Sequence, residues 1–343
     1  MTALLRLFIS FLPVFLFSFS FQSDINVYSD KLYLDLFNHK WKNIPSNESL
    51  NRAFDYSNIK FSFDKEDYTF GIGYLSEGVV KVNKGFIQTW YYASRDFNTL
   101  LKKSDIGYYI TEPKIYGIEN YSQFQSVFVG KKFKYFKINF SLLRGKVLQY
   151  MKVNGFNRKK HFITDLDYYY SDKNILMDNY LKSKNYKGIG YSFDIKFFRK
   201  FHSYEIGAGF FNIFGAIKWR NIILMKYHFD SNTKYIGNDG YYHYRPFGVG
   251  KFIKTSFYQK LPFYVKYHIK KYLKNFSFGD EGIYSVGARY DELFIRKNLF
   301  KIGYVPQSKS MVFGLYFKNL NVELSNNIKY HTKFLKLFFK INY

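Results

Sequence analysis

The stretch 333–343 alternates. From Leu335 onward, Leu335, Leu337, Phe339, Ile341 and Tyr343 fall on one side of an extended strand. Lys336, Lys340 and Asn342 fall on the other, with Phe338 the exception. A strand that is apolar along one face and charged along the other suits a wall between lipid and an aqueous interior. The pattern predicts the closing strand of a transmembrane β-barrel. Phe339, Ile341 and the aromatic end Tyr343 are read as its signal to the barrel-assembly machinery.

The same period of two recurs upstream. Tyr68, Phe70, Ile72 and Tyr74 alternate with Thr69, Gly71 and Gly73. Phe136, Ile138 and Phe140 alternate with Lys137 and Asn139, and Phe162, Thr164, Leu166 and Tyr168 with Asp165 and Asp167. Tyr191, Phe193, Ile195 and Phe197 oppose Asp194 and Lys196. Later runs set Glu205, Lys266, Arg289 and Glu323 against apolar neighbours. Charges recurring on one strand face argue for a wet interior. The runs from 57 to 343 give an all-β, antiparallel transmembrane barrel of about fourteen strands, with twelve or sixteen also fitting. The longest polar links, 171–187 and 230–245, are expected outside the cell, because such barrels keep their periplasmic turns short. Glycines two apart at Gly71/Gly73, Gly188/Gly190 and Gly207/Gly209 are expected to relieve crowding along the wall.

The N-terminal end agrees with export. Residues 1–6 are short and basic, 7–19 are almost wholly apolar, and Ser18 and Ser20 offer the small residues a signal peptidase reads. Residues 1–20 are therefore expected to be a signal peptide, and 57–343 the barrel of a Gram-negative outer-membrane protein. The irregular segment 21–56 is either a plug in the barrel mouth or a periplasmic lead-in. The chain has no cysteine, which excludes disulfides and thiolate chemistry. Its 35 Tyr and 41 Phe suit strands and interfacial girdles. A net charge of +26 would suggest nucleic acid, but the lysines are scattered through alternating strands and not gathered into a basic helix or arm. The expected partners are outer-membrane lipid and lipopolysaccharide, the barrel-assembly machinery and a periplasmic or surface protein, with no nucleic acid.

No nucleophile elbow, phosphate-binding loop or zinc spacing is present, and the histidines are dispersed. No catalytic residue, metal or cofactor is expected, and the chain is not read as an enzyme. The candidate functional residues are polar groups on strand faces that would line the lumen: Lys137, Asp165, Asp167, Asp194, Lys196, Glu205, Lys266, Arg289, Glu323, Lys336 and Lys340. Buried carboxylates are costly unless paired, so these acids are expected to meet luminal lysines or arginines. The implied function is an outer-membrane channel or transporter for small molecules with a polar, basic lumen. The alternative is a structural or assembly barrel that binds a partner without transport.

Residues 284–324 add a family likeness. Tyr284-Ser-Val-Gly-Ala-Arg-Tyr290, Leu293-Phe-Ile-Arg-Lys297, Phe300-Lys-Ile-Gly-Tyr304, Met311-Val-Phe-Gly-Leu315 and Asn321-Val-Glu-Leu324 resemble the terminal hairpins of the outer-membrane fatty-acid transporter superfamily. In residues 203–219, Phe211-Asn-Ile-Phe-Gly215 is similar to the Asn-hydrophobic-Phe-Gly strand end of these proteins and of their conjugation-protein-like relatives. The resemblance implies a barrel of about fourteen strands with an N-terminal plug. It implies either transport of hydrophobic compounds or a secretion-associated role.

Overall fold

The structure, a computed structural model, describes residues 18–29, 50–94, 110–158, 161–171, 185–232, 234–244, 247–318, 320–326 and 334–342. The first strands are β1 (Ser18–Ser29), β2 (Leu50–Lys65) and β3 (Tyr68–Asn83), followed by a helix, α1 (Lys84–Ser94). Then come β4 (Lys114–Lys132), β5 (Phe136–Arg158), β6 (His161–Tyr170), β7 (Lys187–Phe201), β8 (Tyr204–Phe211) and β9 (Ala216–Asp230). A small hairpin, β10 (Lys234–Ile236) and β11 (Tyr242–Tyr244), precedes β12 (Gly248–Lys260) and β13 (Tyr264–Leu273). The chain closes with β14 (Phe276–Ser285), β15 (Ala288–Lys297), β16 (Phe300–Val305), β17 (Ser310–Tyr316), β18 (Leu320–Asn326) and β19 (Phe334–Asn342).

Antiparallel ladders run from β1 through β2, β3 and β4 to β5, and from β13 through β14 and onward to β19. β19 pairs back onto β1, with Ser20 opposite Asn342, which closes the circuit. Closure removes every free edge in that circuit, as a bilayer requires. Between β5 and β13, three positions of the wall are each built from two strands set end to end. β5 pairs with β7 through residues 136–145 and with β6 through 149–158. β8 and β9 share the next position, and β13 and β12 the one after.

The sheet therefore holds 17 strands, more than the expected fourteen or so, because a position interrupted at mid-height counts twice. A second departure is at the N-terminal end. Of segment 21–56, expected as a plug or lead-in, Phe21 to Ser29 and the start of β2 lie in the wall, and 30–49 lie outside the described residues. Ser18 to Ser20, expected at the end of a signal peptide, are the first residues of β1, and 1–17 lie outside the described residues. Most of the link 171–187 lies outside them too, and 230–245 carries the β10–β11 hairpin.

The outer surface has the chemistry of a lipid face. One row runs Ile341, Phe21, Phe61, Ile72, Val127, Leu142, Tyr191 across seven neighbouring strands. Val127 and Leu142 are more than 60% exposed. In water such a belt would aggregate, whereas in a bilayer it is solvated. Rings gather at the end that carries the short turns. Phe133 stacks on Phe136 at 4.4 Å, Phe63 on Phe70 at 5.4 Å, and Phe201 on Tyr204 at 6.0 Å. Lys131 lies over Tyr68 and Phe133. This is an interfacial girdle, and short turns mark it as the periplasmic end. The closed barrel with its apolar belt is that of a bacterial outer-membrane protein. Among the described residues no helix is long and apolar enough to cross a membrane; the strands cross.

Inside, Tyr28, Phe54, Tyr56, Val79, Phe211, Tyr264, Ile283 and Tyr290 form a single buried cluster. A second cluster, around Trp219, Leu75, Phe124 and Leu261, sits nearer the outer end. There Gln259 of β12 bonds Asn120 Oδ1 of β4, and Asn120 donates to Lys260 O. β4 and β12 are not ladder partners, so the intervening sheet curls inward to bring them together.

Candidate functional site: a septum above a charged vestibule

Luminal side chains alternate with lipid-facing ones, so each strand sends every second residue inward. On β2 these are Phe54, Tyr56, Asn58 and Lys60; on β13 they are Tyr264, Lys266, His268 and Lys270. Tyr264 reaches from β13 across the lumen, and its hydroxyl donates to Asp55 O at 2.8 Å and Gly78 O at 3.1 Å. Its ring meets Tyr56 at 5.0 Å and Phe54 at 6.1 Å, while Tyr28 meets Tyr290 at 5.8 Å. Tyr290 donates to Asn26 Oδ1 at 2.8 Å, again from wall to wall. At the same height Asn212 gives one amide hydrogen to Glu77 Oε2 at 2.6 Å and another to Pro262 O at 2.8 Å. These groups form a septum of aromatic rings stitched by hydrogen bonds. Its bulk comes from sheet curvature: β15 lies within contact of β1 and β2, which are not its neighbours in the circuit.

One step toward the periplasm the lumen turns ionic. Lys301 on β16 lies 2.7 Å from Glu281, 2.8 Å from Glu292 and 3.1 Å from Glu323. Lys336 on β19 lies 2.7, 2.6 and 2.5 Å from the same three carboxylates. Glu292 is 0% exposed and Lys301 2%. Glu292 Oε1 meets Lys301 as an ion pair but not along a hydrogen-bonding direction. Three carboxylates within 4.8 Å would suit a cation, but the two ammonium groups already supply that charge. The cluster ties β14, β15, β16, β18 and β19 together. Across the circuit Lys266 is paired to Asp24 on β1 and lies 4.2 Å from the Tyr56 ring.

Beneath the septum is a cavity of about 980 Å³, lined among others by Lys196, Lys266, Lys336, Phe338 and Lys340. A smaller one of about 430 Å³ adjoins it behind Glu281 and Lys301. Together they form a vestibule at the short-turn end, large enough for a small solute.

The residues singled out from sequence are distributed unevenly. Lys196, Lys266, Glu323, Lys336 and Lys340 line this vestibule. Lys137 is bonded to Thr69, which bonds Asp64. Asp194 accepts the Asn212 backbone N–H at 3.0 Å and the Ser192 hydroxyl at 3.2 Å, and has no lysine in ion-pair contact among the described residues. Glu205 meets His268 at 3.2 Å and Lys270 at 3.7 Å. Two expectations need correction. Asp165 and Asp167 lie on an exposed face of β6 and pair with His228 at 2.8 Å and Lys226 at 3.5 Å, away from the vestibule. Arg289 faces outward and pairs with Asp291 at 2.7 Å, because Val286 and Gly287 form a turn that ends one strand and starts another. Phe339 and Ile341 fall opposite Ser23 and Phe21 of β1, and Tyr343 lies outside the described residues.

The sequence reading missed Asp24, Glu281, Glu292, Lys301, Asn212 and the septum tyrosines. Glu281 belongs to a segment that reads as a link, and Asp24 to one that reads as a plug. Lys301 stands in the quoted Phe300-Lys-Ile-Gly-Tyr304, so its inward phase was readable although its partners were not.

No family model matches the chain, and no curated protein does. Solved structures with a similar shape include the translocator domain of the autotransporter NalP from Neisseria meningitidis. That match has 4% identity and a TM-score of 0.31, covering 98% of this chain and 91% of that one. The TodX monoaromatic hydrocarbon channel, in a deltaS2 mutant, is 8% identical with a TM-score of 0.38, covering 97% and 90%. The outer-membrane protease OmpT from Escherichia coli is 9% identical with a TM-score of 0.22, covering 95% and 96%. None is similar enough to place the chain in a family.

Proposed function

We propose that this protein is an outer-membrane channel or transporter for small molecules, whose path enters the periplasmic vestibule and crosses the septum when the septum opens. The observation that carries the reading is the vestibule itself: about 980 Å³ of space, with several lysines in its lining, ending on side chains instead of on backbone. A septum held by side-chain hydrogen bonds can open by rotamer change, since each such bond contributes only about 0.5–1.5 kcal/mol net. The likeness of residues 284–324 to the fatty-acid transporter superfamily supports the same reading from sequence. The lysines and carboxylates on the lining favour a charged or polar solute over a wholly apolar one.

The test is planar-bilayer recording. Refolded wild-type protein is expected to pass little steady current, and Tyr56→Ala/Tyr264→Ala to conduct continuously. A folded double variant as silent as wild type would sink the transport reading. The septum also favours a second reading, a non-transporting structural or assembly barrel. A silent double variant together with a protein cross-linked at the barrel rim would support that one.

A further inference from the structure

The vestibule carries an arrangement of like charges that ion pairing does not explain. Lys137 on β5 and Lys196 on β7 are direct cross-strand partners. The next residue in that row is Gly209, and the next is Lys266. Facing them is a second row, in which Gln22 of β1 has Lys60 of β2 on one side and Lys340 of β19 on the other. The rows feel each other: Lys60, Lys137 and Lys266 repel Lys196, which Asp194 attracts, and Lys60 and Lys340 repel Lys137, which Asp64 attracts. All five lysines are half-buried. Like charges placed directly opposite across a ladder are destabilising.

The nearby carboxylates are otherwise engaged. Asp24 pairs with Lys266, and Asp64 is bonded by Thr69. Asp194 takes Asn212 and Ser192, and Glu77 takes Asn212. Among the described residues, Lys60, Lys137, Lys196 and Lys340 have no carboxylate in ion-pair contact, and Lys196 and Lys340 line the cavity. Gly209, between Lys196 and Lys266, leaves its side-chain position to the Phe211 ring, which lies 2.8 Å from where a Cβ would stand.

We propose that this lysine belt is a binding site for a multivalent oxyanion of the phosphate type, entering from the periplasm. Such an anion accepts charge-assisted hydrogen bonds from several ammonium groups at once and removes the Lys137–Lys196 repulsion. The site deepens the reading of the vestibule as a solute path and rests on it, but binding is measured without any current.

Inorganic pyrophosphate is titrated calorimetrically into the refolded full chain in nonionic detergent, with thermal unfolding followed in parallel. Saturable binding and a rise in melting temperature with pyrophosphate are expected. Lys137→Met/Lys196→Met should weaken binding at least tenfold and should lose most of the rise in melting temperature that pyrophosphate gives wild type. Lys226→Met, at the exposed outer rim, should bind as wild type does. Should the double variant fail to fold, Lys340→Gln serves, with several-fold weaker binding expected. Added phosphatidylglycerol should leave the titration unchanged. Displacement by that lipid would assign the belt to a headgroup and overturn the solute site. No saturable binding by wild type, or undiminished binding by the folded lysine variants, would overturn it as well. Conductance without pyrophosphate binding would reject this site while sparing the channel.

Discussion

At the scale of single residues, the Lys301–Lys336 cluster sets the sharpest contrast with the surface pairs. Removing one member of a buried ion network costs about 3–5 kcal/mol, because the partners remain desolvated and unmatched. Lys336→Met would leave Lys301 alone among three carboxylates, and is expected to lower stability by roughly that amount. Lys226→Met breaks a 3.5 Å pair with exposed Asp167 and should cost at most about 1 kcal/mol. Urea unfolding in micelles, with the midpoint and slope read for each, checks the pair; equal losses would mean the cluster is hydrated. The inward phase of Lys336 was legible, since alternation along β19 assigns it a face. Its partners were not, because cross-strand register is written in no single strand. Arg289 shows how phase is lost. Residues 284–290 read as one strand, but Val286 and Gly287 both have positive φ, at 47° and 85°, as a tight hairpin turn demands. The turn resets the alternation, so Tyr290 points inward and Arg289 out.

At the scale of elements, the instructive feature is the set of strands that break at mid-height. Asn212 stands at the break between β8 and β9 with φ of 57°, a conformation Asn tolerates better than most residues. It is the joint as well as a strut, since its backbone N–H goes to Asp194 and its amide to Glu77 and Pro262. Asn212→Ala leaves a buried Glu77 without its donor and removes the short polar side chain that lets Asn tolerate positive φ better than Ala does. A loss of about 2–4 kcal/mol is expected. Asn212→Gly should recover only the backbone part, about 1 kcal/mol. Chemical denaturation of the two variants separates the contributions, and identical midpoints would remove the strut from the account. The motif Phe211-Asn-Ile-Phe-Gly215 was visible in the sequence as a strand end, and β8 does end there. What the pattern could not show is that β9 resumes in the same wall position. Glycine spacing was similarly half-legible. Gly188 sits beside Gly145 across the ladder, and the Trp219 ring lies over both, within 2.8 Å of where their side chains would be. The need for small residues is readable from the strand; the ring that occupies the space comes from the cross-strand partner of Gly188 on β9, a register that β7 alone does not show.

At the scale of the whole molecule, the barrel class follows from alternation and an apolar outer face, whereas the closed lumen follows from three-dimensional curvature that no local pattern encodes. The consequence for selectivity is testable once the septum is opened. In Tyr56→Ala/Tyr264→Ala, ions would pass the belt of Lys60, Lys137, Lys196, Lys266 and Lys340 before meeting the breach. Low-dielectric walls focus a fixed potential along such a path, so the belt should concentrate chloride and repel potassium. The Lys301–Lys336 cluster opposes this only weakly, because its two ammonium groups offset all but one of the three carboxylate charges. Under a tenfold KCl gradient the reversal potential is therefore expected on the chloride side of zero. The preference should grow as salt is lowered toward about 0.1 M, where the Debye length reaches about 10 Å and the rows act on the whole cross-section. Adding Lys137→Glu and Lys196→Glu to the open variant changes two adjacent charges from +1 to −1 and should carry the reversal potential to the potassium side. Rectification should change with it, since the belt lies on the periplasmic side of the septum only. A reversal potential indifferent to these two substitutions would mean that current bypasses the vestibule, and the path would then have to be sought along the outer curl between β4 and β12.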